Sequence, residues 1–500
     1  MTTRRGAGSR APVALAAIVL VAAGLRIPFM WTGLGADEGG YAFVAHQWAN
    51  GAHLYRDVFV DRPQGLMVLY RALTDVAYQA WAIRAGAVLA GVALTLLVGA
   101  LGWMLRSRAT GIAAAAIVAV VGVAPNAEGF TMEGELAAAV PATAAIVCAV
   151  RWRSVQSRWW LVAAGFFGAI GVLMKQSGFD GLLLAGAIAL AAAGPWRERA
   201  ARVAAVAGGA LLPLGAAVAQ GLSVGWGRYW LAVYGWRAHE DLGRGAGGRL
   251  DAFIDQFPVV GPDLWAVTAV AALGFLVALR SRRVLWIAPA WLLAALVALN
   301  AGGLYLPHYF IQLIPPLALL AAIGATALPL RSPAAAVALT CLAIAPVAVT
   351  LVQYATMPSR QRERTIVWDR RYQIDREVAR FVRAHSTPRD QLMALPSRAD
   401  LYFLAHRLPP IPYLWEHTPL VRASTIRTLR RRLAGPERPK FVVVVEDARD
   451  IDTSGRLRRI VARYYRDVWS PRGVRDIRVL LARGANLAPA PAIAARPSTG

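Results

Sequence analysis

Eleven apolar runs fill the first 353 residues of this chain, at 12–32, 82–104, 110–125, 136–150, 159–174, 179–194, 203–222, 263–280, 284–301, 308–329 and 333–353. Many are near the roughly 17–25 residues a helix needs to cross the hydrocarbon core of a bilayer. Inside lipid every backbone N–H and C=O must pair within its own segment, so runs of this kind fold as helices or not at all. A composition 57% hydrophobic with a mean hydropathy of +0.45 excludes the ordinary soluble class. The expected fold class is therefore a polytopic α-helical membrane protein with about eleven transmembrane helices.

Basic residues orient it. Arg4, Arg5 and Arg10 precede the first run, and Arg106, Arg108, Arg151, Arg153, Arg158, Arg197, Arg199, Arg202, Arg280, Arg282, Arg283 and Arg331 fall between later ones. All lie on one side if the N-terminus is cytoplasmic, as the positive-inside rule requires. The opposite face then receives residues 33–81, 126–135, 175–178, 223–262, 302–307 and everything after 353. The first run lacks a clear small-residue cleavage site before Arg26 and is read as a retained helix, not a cleaved signal peptide.

The net charge of +25 would ordinarily suggest a nucleic-acid partner. Topology accounts for much of it, and residues 354–500 hold 29 Lys and Arg against 14 Asp and Glu, a net of +15. An extracytoplasmic basic domain suits an anionic lipid surface and not nucleic acid. Both cysteines, Cys148 and Cys341, fall within apolar runs, so neither a disulfide framework nor a cysteine-based metal site is implied.

Character changes after Gln353. Ile374, Val378, Phe381 and Val382 share a helical face over 372–386. Strand-like runs at 391–395, 441–445 and 477–481 are separated by helical stretches near 397–406, 422–433 and 454–465. That alternation predicts a small α/β domain over 354–484 with a largely parallel sheet. It has no phosphate-binding glycine loop and no nucleophile elbow, so it either shapes an acceptor site or caps the membrane domain, 1–353. Residues 485–500 read as a disordered tail.

Charge at the outer face is where chemistry is expected, because carboxylates at a membrane surface are costly unless paired or used. Asp37 and Glu38 follow the first helix, after Leu25-Arg26-Ile27-Pro28. A general base needs a carboxylate held near an incoming hydroxyl; helix capping or pairing with Arg26 is the bland alternative. Tyr41, Val44, Ala45 and Trp48 have the spacing of an interfacial helix, with Trp48 and Tyr55 at headgroup depth. Glu128, Glu133 and Glu135 form a second acidic group, Glu135 either capping the fourth span or serving as a second site carboxylate. Lys175 and Lys440 are the only lysines, and Lys175 ends an apolar span. It offers a compact charge for a phosphate, with snorkelling as the alternative, while Arg62 offers a bidentate fork. Trp226, Arg228, Tyr229, Trp230, Tyr234, Trp236, Arg237 and His239 suit a headgroup or sugar, or an aromatic belt. The histidines show no metal-ligand spacing.

The order of these motifs resembles the GT-C membrane glycosyltransferases, near the protein O-mannosyltransferase and aminoarabinose transferase branch. It runs through Leu25-Arg26-Ile27-Pro28, Asp37-Glu38 with Tyr41, Gly51, Tyr55 and Asp57, Arg62-Pro63, Lys175-Gln176, and His308-Tyr309-Phe310-Ile311-Gln312-Leu313-Ile314-Pro315-Pro316. The resemblance implies transfer of a sugar, with inversion, from a polyprenyl-phosphate donor to an acceptor hydroxyl of a glycan, lipid or protein. Asp37 would be the general base with Glu38 as its neighbour, Glu135 the second carboxylate, and Arg62 and Lys175 the donor-phosphate ligands. No protein metal site is implied, although a divalent cation held by carboxylates and donor phosphate is compatible with the pattern. Two departures stand out: Gly39 and Gly40 where some relatives carry a basic residue, and Gln64 in place of a second proline. An arginine- and alanine-rich composition fits a high-GC bacterium, hence mannose or arabinose on a decaprenyl-type carrier in the cytoplasmic membrane. The competing readings are a flippase of lipid-linked precursors, disfavoured by the lack of an internal repeat, and an envelope scaffold.

Overall fold

The computed structural model describes residues 10–487, apart from 237–245, 282–283, 303, 328–332, 359–360, 363–364, 366–371, 416–422, 446–451, 453 and 475. Expectations resting on Arg4, Arg5, Arg237, His239, Arg282, Arg283, Arg331 and most of the terminal tail lie outside the described residues. The chain separates into two compact units: residues 1–32 with 62–362, and residues 33–61 with 363–500. The first external segment is thus divided, 33–61 grouping with the C-terminal region.

The first unit is a helical membrane domain. Its principal helices are α1 (Arg10–Gly24), α3 (Gln64–Val76), α4 (Ala80–Leu105), α5 (Arg108–Val121), α6 (Gly134–Val155), α7 (Arg158–Met174), α8 (Asp180–Ala191), α9 (Trp196–Val224), α10 (Phe257–Ser281), α11 (Ile287–Gly302), α12 (Ile314–Ala327) and α13 (Pro333–Thr356); α2 (Ala36–Ala49) belongs to the other unit. Among the described residues eight helical segments are long and apolar enough to span a bilayer, and α5, α7 and α8 are shorter apolar helices. All eleven runs are recovered. Lipid gives no hydrophobic preference for helix–helix contact, so close packing of small residues takes over. Gly165 of α7 lies against the Val206 carbonyl of α9, and Gly209 of α9 against the Val162 carbonyl of α7.

In the second unit, α14 (Tyr372–Ala384) leads into β1 (Leu392–Leu395), α15 (Ala399–Ala405), α16 (Ala423–Ala434), β2 (Phe441–Val444), α17 (Arg456–Tyr464), β3 (Tyr465–Trp469) and β4 (Arg478–Ala482). The sheet order is β1-β2-β4-β3. Only β1 and β2 pair in parallel, Leu392 opposite Phe441, whereas β2–β4 and β3–β4 are antiparallel. The expected largely parallel sheet is therefore corrected to a mixed one. The sequence reading ran a helix through Tyr465, but that residue starts β3, and the short connection to β4 permits only a hairpin. Met393, Leu395, Leu429, Leu433, Val442, Leu457 and Leu480 form the core between sheet and helices.

Helix α2 completes this second unit. Its expected place flat on a membrane surface is corrected: Tyr41, Phe43, Val44 and Ala45 are buried, Phe43 packing on Tyr402 of α15 with ring centroids 5.7 Å apart. The periodicity was sound, but protein and not lipid covers the apolar face. Tyr55 is likewise buried, and Phe59 N–H donates to the Pro412 carbonyl at 3.0 Å.

Candidate active site

Helix α2 begins with Gly35 as N-cap, and the Glu38 carboxylate reaches back to accept the Gly35 N–H at 3.3 Å. This is half of a capping box, which satisfies an otherwise orphaned amide. Glu38 is fully buried in that role. Asp37, one residue earlier, is only partly buried and has both oxygens held. Trp415 Nε1–H donates to Oδ1 at 2.8 Å and the Tyr41 hydroxyl to Oδ2 at 3.2 Å. Two donors on two oxygens fix the plane of the carboxylate.

The other charged residues assemble in the membrane unit. Arg26, the arginine of the Leu25-Arg26-Ile27-Pro28 motif, spends its guanidinium on main-chain carbonyls: Ala22 at 3.1 Å, Gly122 at 2.7 Å and Gly129 at 3.5 Å. The suggested Arg26 pairing with Asp37 or Glu38 gives way to this one. Arg26 instead pins the segment 122–133. The same segment is tied by Tyr70, whose hydroxyl donates to the Met132 carbonyl at 2.8 Å, and by Asp263, which accepts the Asn126 N–H at 2.9 Å.

That pinned segment presents Glu128, Glu133 and, at the start of α6, Glu135. Glu135 and Lys175 form an ion pair in which both side chains are almost wholly buried. Lys175 Nζ also sits 3.4 Å above the Tyr309 ring, a cation–π contact. Snorkelling therefore does not describe Lys175. His308 joins the cluster, its Nδ1 2.8 Å from Glu128 Oε2 and its Nε2 3.9 Å from Glu135 Oε1. Nε2 has no hydrogen-bond partner among the described residues. A carboxylate on Nδ1 fixes the ring orientation.

Arg62, also buried, is brought to the same neighbourhood by backbone packing. A Cβ on Gly65 would lie 2.6 Å from the Leu173 carbonyl oxygen, so only glycine lets the start of α3 rest on the end of α7. Arg62 lies three residues before that contact and Lys175 two after it. Arg62 consequently acts electrostatically on Glu135. Gln64 explains its own departure from the motif: its amide donates to the Ala217 carbonyl at 2.9 Å and its oxygen accepts from Tyr229 at 3.3 Å. Trp226, Tyr229, Trp230 and Tyr234 form a cluster of tilted and edge-on rings with centroids 5.1–6.4 Å apart.

The structure thus brings Arg62, Lys175 and Glu135 together, gives Glu38 a capping role, and places Asp37 with Tyr41 and Trp415. Sequence reasoning grouped Glu128 and Glu133 with Glu135 and quoted His308-Tyr309 as a motif without giving any of the four its own role, and it missed Trp415 altogether. The spacing of His308-Tyr309 before a proline-opened helix was the available signal for two of them; Trp415 gave none.

No protein-family model matches the chain, and neither does any curated protein sequence. Solved structures do. ArnT from Cupriavidus metallidurans in the apo state superposes with a TM-score of 0.62 at 17% identity, over 95% of this chain and 98% of that one. The same protein bound to undecaprenyl phosphate gives 0.59 with the same coverage. The archaeal oligosaccharyltransferase AglB from Archaeoglobus fulgidus, in complex with an inhibitory peptide and a dolichol-phosphate, gives 0.53 at 14% identity over 95% and 74%. The chain has the GT-C membrane fold.

Proposed function

We propose that the protein is a membrane glycosyltransferase that moves a hexosyl or pentosyl group from a polyprenyl-phosphate donor to an acceptor hydroxyl, with inversion, at the outer face of the cytoplasmic membrane. The supporting observation is the buried pair of cations, Arg62 and Lys175, delivered by the contact of α3 with α7 at Gly65. Both GT-C neighbours were solved with a polyprenyl phosphate, which fits a donor arriving from the lipid. In this reading Asp37 removes the acceptor proton, the acceptor oxygen bonds to the anomeric carbon, and the carbon–phosphate oxygen bond breaks. Arg62 and Lys175 stabilise the charge that accumulates on the departing phosphate. Glu135 holds Lys175 in place and moderates its charge until the donor arrives.

A divalent cation fits the donor set. The ligand atoms of Glu133 and His308 lie within 4.8 Å of each other, and hard carboxylates with an imidazole suit such an ion. Glu133 and His308 would hold it, with Glu128 orienting the ring. Chelation followed by metal add-back tests that assignment.

The N-terminus and basic connections are assigned to the cytoplasm, the C-terminal unit to the exterior, and the product to envelope glycan or glycoprotein synthesis. Purified protein in lipid nanodiscs, given synthetic decaprenyl-phosphate mannose or arabinose and envelope acceptors, should transfer sugar and lose activity in Asp37→Asn. Donor translocation without transfer would instead support the flippase reading.

A further inference from the structure

Two glycines in the first turns of α2 are unexpected on local grounds, since each costs a helix about 1 kcal/mol relative to alanine. The tertiary structure shows what they admit. At Gly39 an added Cβ would lie 2.8 Å from both Cα and Cβ of Asp400. At Gly40 it would overlap the Trp415 indole and stand 2.7 Å from the Ala399 Cβ. The C-terminal region therefore presses into α2 at backbone distance, one and two residues from the end of Asp37's peptide unit. Asp400 and Ala399 are themselves set by a buried ion cluster in which Arg398 pairs with Asp375 of α14 and with Asp400, the latter at 3.1 Å. The loop that follows α15 and its turn then returns Trp415, whose ring lies 5.8 Å from that of Tyr41.

We propose that Trp415 is a positioning residue for Asp37: its indole N–H holds Oδ1 so that the lone pair used for proton abstraction points at the acceptor. This makes the C-terminal domain a working part of the base and not only a cap. The proposal rests on the reading of Asp37 as the base. The bland alternative is that Trp415, 4% exposed, is simply core. The geometry argues against that alternative in one respect. Core packing needs the ring but not a polar atom directed at the one partly exposed carboxylate of α2, and two helix-weakening glycines are kept where the ring passes.

The test separates the ring from its N–H. Trp415 is replaced in the full-length protein by β-(3-benzothienyl)alanine through nonsense suppression, which keeps shape and removes the donor; Trp415→Phe serves as the genetically simple companion. The first readout needs no donor: modification of Asp37 by a water-soluble carbodiimide, followed by peptide mass spectrometry. Labelling is expected to quicken about tenfold on losing a hydrogen bond to a charged group, in a protein that still unfolds cooperatively and melts only slightly below wild type. The second is turnover of decaprenyl-phosphate mannose or arabinose. A fall in kcat of about 10- to 100-fold is expected from a misplaced base, with donor KM within about twofold. Wild-type labelling and kcat in the benzothienyl variant, with Asp37→Asn inactive, would overturn the role of Trp415 and leave Asp37 as the base. Wild-type turnover in Asp37→Asn would overturn both.

Discussion

Replacing Glu135 by glutamine should destabilise the membrane unit more than almost any other isosteric change. Glu135 and Lys175 are buried together, and the ion pair is their principal shared interaction. Removing one partner of a buried pair strands the other charge, at about 3–5 kcal/mol. The Tyr309 ring already contacts Lys175 at 3.4 Å, so it supplies no fresh compensation. The carbonyl of a glutamine can still accept from Nζ, returning about 1–2 kcal/mol. A net loss of about 1–4 kcal/mol follows. Combining Glu135→Gln with Lys175→Met removes both charges and should bring stability back to within about 1 kcal/mol of wild type, a coupling well above the ~0.3–0.5 kcal/mol scatter of independent sites. The assay is thermal unfolding of the four proteins in one detergent at one scan rate, followed by intrinsic fluorescence. Polyprenyl phosphate at 100 times its Kd should then raise wild-type stability by about 2.7 kcal/mol and the double variant by far less. A Glu135→Gln protein that melts with wild type would refute the buried-pair argument. A double variant that is stable yet fully active would refute Lys175 as a phosphate ligand.

Other expectations are sharper for particular contacts. Gly65→Ala puts a methyl 2.6 Å from the Leu173 carbonyl oxygen, so it should cost about 1–3 kcal/mol by overpacking and raise donor KM, read by steady-state transfer. Gly40→Ala gains about 1 kcal/mol of helix propensity yet collides with the Trp415 ring, so kcat should fall in a protein whose melting temperature changes little. In the C-terminal unit Asp452 is held to about 2: burial alone would raise it, but hydrogen bonds from Arg430, Ser454 and the Leu457 N–H outweigh burial. A depressed carboxylate contributes stability that is complete above its unfolded value near 4 and is lost as pH falls through about 2. Amide protection, corrected for the intrinsic pH dependence of exchange, should therefore fall across that window in residues 423–434 and 456–464, and Asp452→Asn should be less protected at neutral pH with the acid step diminished.

What the sequence by itself determined was whatever depends on neighbours along the chain. Apolar runs marked eleven helices, eight of them, among the described residues, long enough to span a bilayer and three shorter, because lipid leaves the backbone no alternative to internal pairing. Alternation marked the α/β character of the C-terminal unit, and the spacing of Tyr41, Val44, Ala45 and Trp48 marked α2 as a helix. The order of charged motifs was enough to suggest the GT-C fold that superposition then showed. What only tertiary structure decided was which charge meets which. Lys175 finds Glu135 forty residues away, His308 finds Glu128 at a separation of 180, and Trp415 reaches Asp37 across 378. Periodicity identified the apolar face of α2 but could not say that α15 and not lipid covers it. Strand-like runs could not reveal that β4 lies antiparallel between β2 and β3. Each of these is a choice among surfaces of similar chemistry. For α2 and for the contact of α3 with α7 the backbone approach at Gly39, Gly40 and Gly65 takes part in that choice, since one methyl group more would force the partners apart.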